Sequence, residues 1–282
     1  MKPGEPFLKP VADPGPGTRA VRVSGLRGGE AFDGTDQVIE EVPVALEFNG
    51  ISHAVMLATP RDLEDFALGF ALSEGILDKR ADLHDIEPVE EKGGITLRLE
   101  IASSCFARLK QYRRSMAGRT GCGLCGTESL EQAVRPVARV EHGFSVEARA
   151  ISRGLEAMRA GQVLQQATGA VHAAAWCDAE GKVRLLREDV GRHNALDKLV
   201  GALAYAGAST DQGFALVTSR ASYEMVQKVA SAGIGILAAI SAPTALAIAT
   251  ARAANLALAG FARDHDMVIY AHPERLRLPS QD

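Results

Sequence analysis

The run TGAVHAAAWCDAEGKVRLLREDVGRHNALDKLVG, residues 168–201, decides the fold. It holds two expected strands, 170–177 and 182–188, the second running on to Val190. Gly191 then permits a sharp turn, and a helix is expected over 194–205. Outward from this run the alternation continues. Strands are expected at 214–219, 234–240 and 267–271, and helices at 151–167, 222–232 and 244–261. Short apolar strands separated by helices predict an α/β fold, a three-layer sandwich around a mixed or parallel sheet. The stretch 229–251 lacks charge and is long enough to be tested as a membrane span. Its Ala, Gly and Ser content and the central Ser241-Ala242-Pro243-Thr244 instead predict a strand, a turn and a capped helix.

Upstream lies a smaller α+β part. Residues 1–18 are dense in Pro and Gly and read as a disordered tail with no apolar signal core. Strand patterns occupy 21–25 and 37–59, with Asn49-Gly50 as a hairpin turn. Thr59-Pro60-Arg61-Asp62 reads as a helix start with Thr59 as N-cap and Pro60 in the first turn. Leu63, Phe66, Ala67, Phe70 and Ala71 share one helical face, Gly75 stops the helix, and 95–101 alternates as a strand. We place the boundaries at 1–18 for the tail, 19–145 for the N-terminal subdomain and 146–282 for the α/β subdomain.

The 282 residues carry 31 Lys and Arg against 35 Asp and Glu, and only 5% are aromatic. That balance argues against a nucleic-acid binder, which needs basic excess and stacking surfaces. Four cysteines are too few to staple a chain of this length, and two form a CxxC pair, which suits a reducing compartment. A cytoplasmic protein, with no membrane and no nucleic-acid partner, is expected.

Residues 102–121 contain no acid but hold Arg108, Lys110, Arg113, Arg114 and Arg119, and they lead into TGCGLCG, residues 120–126. Glycines leave Cys122 and Cys125 unshielded, and neighbouring cations together with a helix start at Thr127 favour thiolates. Sulfur carriage or thiol exchange needs such a loop. Half of a zinc site and an inert loop are the alternatives; no second ligand pair is evident, so no metal is expected. A thioredoxin-like exchange enzyme would place its CxxC after a strand, a context not seen here. A zinc deaminase would need a Glu two residues after its histidine, and Ala174 follows His172 at that spacing. His172 is thus either a core histidine or a site residue.

A second constellation surrounds Gly191, Arg192, His193 and Asn194, where helix N-terminal amides beside two cationic side chains make a candidate anion site. The plain alternative is a strand-to-helix turn with solvated charges. Ser219, Arg220 and Ser222, and the loop 241–244, also follow strands and precede helices. Ligands of open α/β sheets settle where such loops gather. No Walker or dinucleotide fingerprint is present.

These motifs together resemble the formate dehydrogenase accessory sulfurtransferase (FdhD/NarQ) family. The carriers are TPRDLEDFALGFALSEGI (59–76), GCGLCG (121–126), TGAVHAAA (168–175), REDVGRHNALDKLVG (187–201), TSRASYEMVQK (218–228) and YAHPER (270–275). The resemblance implies a cytidine-deaminase-like sandwich with an added N-terminal part, and a homodimer. It implies a sulfurtransferase that takes sulfane sulfur from a cysteine desulfurase. The sulfur passes to bis(molybdopterin guanine dinucleotide) molybdenum cofactor before that cofactor enters formate dehydrogenase. By the same resemblance Cys122 is the persulfide-forming cysteine and Cys125 its partner. Phe261, Ala262, Arg263, Asp264, His265 and Asp266 match the cofactor-binding segment, although Asp264-His265-Asp266 departs from the Gly or second basic residue common there. A cofactor-binding chaperone without sulfur transfer is the alternative function.

Overall fold

The computed structural model describes residues 15–116 and 137–279. Strands β1 (Thr18–Arg27) and β2 (Glu30–Ile39) form an antiparallel ribbon. Thr18 therefore opens a strand, and the rest of the expected tail up to residue 14 lies outside the described residues. Strands β3 (Val42–Phe48) and β4 (Ile51–Ala58) follow, joined at Asn49 (φ 45°) and Gly50 (φ 79°). Two successive left-handed residues are what a tight hairpin turn demands, and Asn49-Gly50 supplies them. Strands β5 (Leu83–Glu91) and β6 (Gly94–Ile101) complete a sheet ordered β4-β3-β6-β5, in which β3 and β6 run parallel.

Helix α1 (Leu63–Ser73) and helix α2 (Ser103–Met116) pack Phe66, Ala67, Phe70, Cys105 and Leu109 onto Val44, Leu46, Leu97 and Leu99 of this sheet. The start of α1 differs from expectation. Asp62, in a left-handed conformation, occupies the N-cap position, and Thr59 does not cap the helix. Its hydroxyl accepts from the Val190 N–H at 3.2 Å, a long-range partner that outcompetes the local one.

Strands β7 (Val146–Glu147) and β14 (Leu276–Arg277) form a small parallel pair. Between them come α3 (Ala148–Gly161), α4 (Val163–Thr168), β8 (His172–Asp178) and β9 (Val183–Asp189). Next are α5 (Arg192–Ala206), β10 (Gly213–Val217), α6 (Tyr223–Ser231) and β11 (Ile236–Ala239). Helix α7 (Ala245–Ala253), β12 (Ala257–Arg263) and β13 (Asp266–Ala271) finish the series. The six main strands make a mixed sheet ordered β13-β12-β11-β10-β8-β9.

From β9 to β12 the chain advances across the sheet in one direction, so the crossover helices α5, α6 and α7 share one face. Alternate residues divide between two cores. Ala174, Trp176, Ala215, Val217 and Leu237 face these helices, whereas Ala173, Ala175, Cys177, Phe214 and Leu216 face Ile151, Leu155 and Met158 of α3. Helices on both faces of a mixed α/β sheet match the three layers expected.

One expectation fails here. The helix foreseen over 244–261 ends at Ala253, and Asn255 (φ 56°) turns the chain into β12. Ala-rich sequence has high helix propensity, but the slot beside β11 takes residues 257–259 as a parallel strand, and tertiary pairing prevails.

The two sheets are joined by α1 crossing α5. A Cβ on Gly69 would land on the Asp197 carbonyl oxygen, and one on Gly201 on that of Asp65. Both positions require glycine because the backbones touch.

Candidate functional site

Strand β9 lies two antiparallel steps from β10, so the carboxyl ends of β9, β10, β11 and β12 point the same way. The amino end of β8, with His172, shares that end. Three of the sequence-predicted segments therefore emerge together: 191–194 after β9, 219–222 after β10 and 261–266 around the β12–β13 hairpin. Backbone bonds stitch their bases. Ser241 N–H donates to Ser219 O at 3.4 Å, Thr244 N–H to Ala221 O at 3.0 Å, and Phe261 N–H to Ser241 O at 3.2 Å. Cys122 and Cys125 lie outside the described residues, as does the expected helix start at Thr127.

The turn after β9 is built on a buried carboxylate. Asp189 Oδ1 accepts from Gly191 N–H (2.7 Å) and Asn194 Nδ2 (3.0 Å), and Oδ2 from Thr59 N–H (3.0 Å) and Lys198 Nζ (2.6 Å). Asn194 also donates to Leu57 O, so its amide is spent on holding α5 against β4. Neighbouring acids are engaged as well. Glu188 accepts the N–H groups of Leu164 and Gln165, Asp197 pairs with Lys228 at 2.9 Å, and Arg187 pairs with Asp65 at 2.7 Å. Burial lowers the Lys228 pKa, but Asp197 and Glu74 more than offset it, so the ammonium sits above its ordinary range. Beneath the turn the charges are buried and paired, whereas Arg192 and His193 on the turn itself are half-buried. Charged residues buried at Asp189, Asp197, Lys198 and Lys228 carry no sequence signal of their own, because their partners are distant in the chain.

Other groups here stay available. Arg192 Nε is buried without a hydrogen-bond partner, and so is the hydroxyl of Ser222. Ser222 occupies the N-cap position of α6 yet makes no side-chain cap, whereas Thr244 caps α7 through Ala247 N–H at 3.2 Å. Two helix N-termini with unspent polar atoms form an electropositive mouth. His193 Nε2 meets Glu224 Oε2 at 2.6 Å, bridging the first turns of α5 and α6 and lowering the Glu224 pKa. His172 is half-buried, with Nδ1 3.4 Å from Thr218 Oγ1. Burial, then the charges of Arg192 and His193, lower its pKa and favour the neutral ring. Ser219 is buried with its hydroxyl bonded to Arg220 O, and Arg220 is exposed.

In the hairpin, Phe261, Ala262 and Arg263 close β12, and Asp266 opens β13. Ala262 is packed in the core, whereas Arg263, Asp264, His265 and Asp266 are exposed. Phe261 has φ 52° and remains 38% exposed. An aromatic residue in the left-handed region costs about 1–2 kcal/mol, and such strain gathers at functional sites.

The FdhD/NarQ family model matches residues 39–277. The chain belongs to that family. Two curated relatives named "Sulfur carrier protein FdhD" are close in sequence. The one from Variovorax paradoxus is 61% identical over 276 residues, covering 98% of this chain and 95% of its own. The one from Cupriavidus necator is 60% identical over 255 residues, covering 90% and 88%. A crystal structure described as a formate dehydrogenase accessory protein from Desulfotalea psychrophila aligns with a TM-score of 0.71 at 23% identity. It covers 93% of this chain and 100% of that one, and it attests the fold of this FdhD/NarQ member.

Cys105 and Cys177 are buried, and burial pushes the Cys177 thiol up to about 12, which keeps it protonated and inert. Among the described residues, Asp78, Asp82 and Cys105 cluster. Arg108 fills that spot, 3.1 Å from Asp78 and 3.7 Å from the Cys105 sulfur, which disfavours a metal ion. No helix among the described residues is long and apolar enough to cross a membrane.

Proposed function

We propose that the protein is a sulfur carrier for formate dehydrogenase maturation, acting on bis(molybdopterin guanine dinucleotide) molybdenum cofactor as its cargo. The observation that carries the binding half is the gathering of Arg192, Ser222 and the 261–266 hairpin at one end of the sheet, with buried polar atoms unspent. Guanidinium and hydroxyl donors beside two helix N-termini suit the phosphates of a dinucleotide. Gly191, His193, Asn194, Ser219 and Arg220 frame the same mouth, the buried Asn194 and Ser219 through their backbone. Phe261, Ala262, Arg263, Asp264, His265 and Asp266 form its far wall, and the Phe261 ring offers a surface for a purine.

The sulfur half rests on family membership, the relatives' names and the CxxC spacing. The Cys122 thiolate attacks the outer sulfur of a cysteine desulfurase persulfide, forming Cys122–S–SH and releasing the desulfurase thiolate. When the Cys125 thiolate then attacks the inner sulfur, hydrosulfide leaves and a Cys122–Cys125 disulfide forms, which a dithiol reductant reopens. A homodimer in the cytoplasm belongs to this reading.

Mass spectrometry of the protein after incubation with a desulfurase and cysteine tests it. One added sulfur on the peptide containing Cys122, absent in Cys122→Ala, is expected. Guanine-nucleotide binding with no sulfur gain would instead favour a chaperone that only holds the cofactor.

A further inference from the structure

His193 and Glu224 tie the first turns of α5 and α6 together at the mouth of the crevice. Nε2 of the ring lies 2.6 Å from Oε2 of the carboxylate, and the two side chains are 26% and 29% exposed, open enough for a ligand to reach. No other acceptor among the described residues meets that nitrogen. The carboxylate is held below its ordinary pKa. The contact with His193 is the first cause, burial opposes it, and the charges of His193, Lys228 and Arg192 reinforce it. Its place in the first turn of α6 adds the favourable end of the helix dipole.

An ionised carboxylate only accepts, so Nε2 carries a proton whatever the charge of the ring. The proton that comes and goes therefore belongs to Nδ1. Unlike Nε2, Nδ1 is not an enclosed atom, and it has no hydrogen-bond partner among the described residues. The other charged groups around the ring are Arg192 on its own helix, half-buried His172 on β8 and Lys228 one turn further along α6. Asp189 is spent on Lys198, and Asp62 and Asp65 at the start of α1 face Arg187. Among the described residues, Glu224 is thus the carboxylate that fixes this imidazole.

We infer that Glu224 is a positioning residue for His193, and that Nδ1 of the ring meets a phosphate of the cargo, so that binding takes up one proton. The inference rests on the cargo reading above. A doubly esterified phosphate offers acceptors and no donor. It is satisfied by an Nδ1–H group and repelled by a bare Nδ1 lone pair. The imidazolium is therefore the binding form, with Nε2–H given to Glu224 and Nδ1–H to the phosphate. The proton comes from solvent, and no other bond forms or breaks. A simple staple between two helices would serve equally at any pH.

Calorimetric titration of the full chain with diguanosine pyrophosphate, from about pH 5.5 to 8.5, tests this. Both phosphates of that probe are esterified, so its own charge stays constant over the range, unlike that of GDP. Wild-type affinity is expected to fall as pH rises, approaching about 10-fold per unit. Heats in two buffers of different ionisation enthalpy should report uptake approaching one proton at the alkaline end. His193→Gln should bind weakly with a flat profile. Glu224→Ala should lose roughly 10-fold at the acid end. Glu224→Gln, whose amide oxygen still accepts from Nε2–H, should recover most of that loss, with affinity starting to fall at lower pH. Should the Glu224 variants fail to fold, the wild-type and His193→Gln profiles decide. Tight binding that ignores pH would overturn the inference and leave the cargo reading standing, whereas no binding at any pH would overturn both. A slope that survives in His193→Gln would place the proton on another group. Glu224→Gln no better than Glu224→Ala would reduce the carboxylate to a helix staple.

Discussion

Lys198 Nζ lies 2.6 Å from Asp189 Oδ2, and neither side chain has any exposure to solvent. The lysine also donates to Thr59 O at 3.0 Å. One ion pair thus fixes the start of α5, the end of β9 and the entry to α1. Removing one partner strands the other in an apolar interior. Lys198→Met is expected to destabilise the protein by about 3–5 kcal/mol in denaturant unfolding. Adding Asp189→Asn should recover part of that loss. A double variant no better than the single would show that the pair does not act as a unit.

Gly201→Ala gains helix propensity of about 1 kcal/mol. Its Cβ would nonetheless meet the Asp65 backbone, which has no side-chain freedom with which to yield. A net loss of about 1–3 kcal/mol is expected, read from the chemical-denaturation midpoint. A neutral outcome would mean that α1 and α5 can slide apart freely.

Titration with GDP probes the crevice. Arg192→Ala should weaken binding roughly 10- to 100-fold, the range for loss of a hydrogen bond to a charged group. Because no protein acceptor loses its partner, the melting temperature should barely move. Unchanged GDP affinity would remove Arg192 from the site.

Stability should also depend on pH through His172. Its native pKa lies below the unfolded value of about 6.5, because burial and then Arg192 and His193 disfavour the imidazolium. The unfolded chain therefore binds more protons, and stability rises with pH in that window. The contribution is fully present above about 6.5 and is lost as pH falls toward the native pKa. His172→Gln should flatten this part of the stability–pH curve; an unaltered slope would assign it to other groups.

Phe261→Gly should separate strain from function. Releasing the left-handed backbone offsets the lost side-chain contacts, so stability should hold or rise slightly. GDP binding should fall. If both fall together, the residue is there for packing alone.

Much of the layered sheet is legible because β8, β10 and β11 are short and apolar, and β9 ends at the Gly191 turn. Strand β12 was not, since alanine at 257, 259 and 262 satisfies helix propensity and strand pairing alike. Strand β5 was missed for another reason. It is an edge strand whose Pro88 and four acids face largely outward, so it lacks the apolar alternation that marks a half-buried strand. At the candidate site, residue types disclosed the loops but not their division of labour. Asn194 and Arg192 are two positions apart, yet one is locked to Leu57 and Asp189 and the other is unspent. That difference is set by β4 and β9, which sequence reading places no nearer to one than to the other.

The glycine crossing of α1 on α5 has a consequence for genetics. Three of the six family-defining motifs meet there or in the ion pairs beside it: Gly69, Asp65, Arg187, Asp189, Asp197, Lys198 and Lys228. A screen scoring lost activity would return these positions as readily as any that touch cargo. Sorting alleles by how much intact protein accumulates would split them, with Arg192 and Ser222 in the abundant class and the crossing residues in the depleted one.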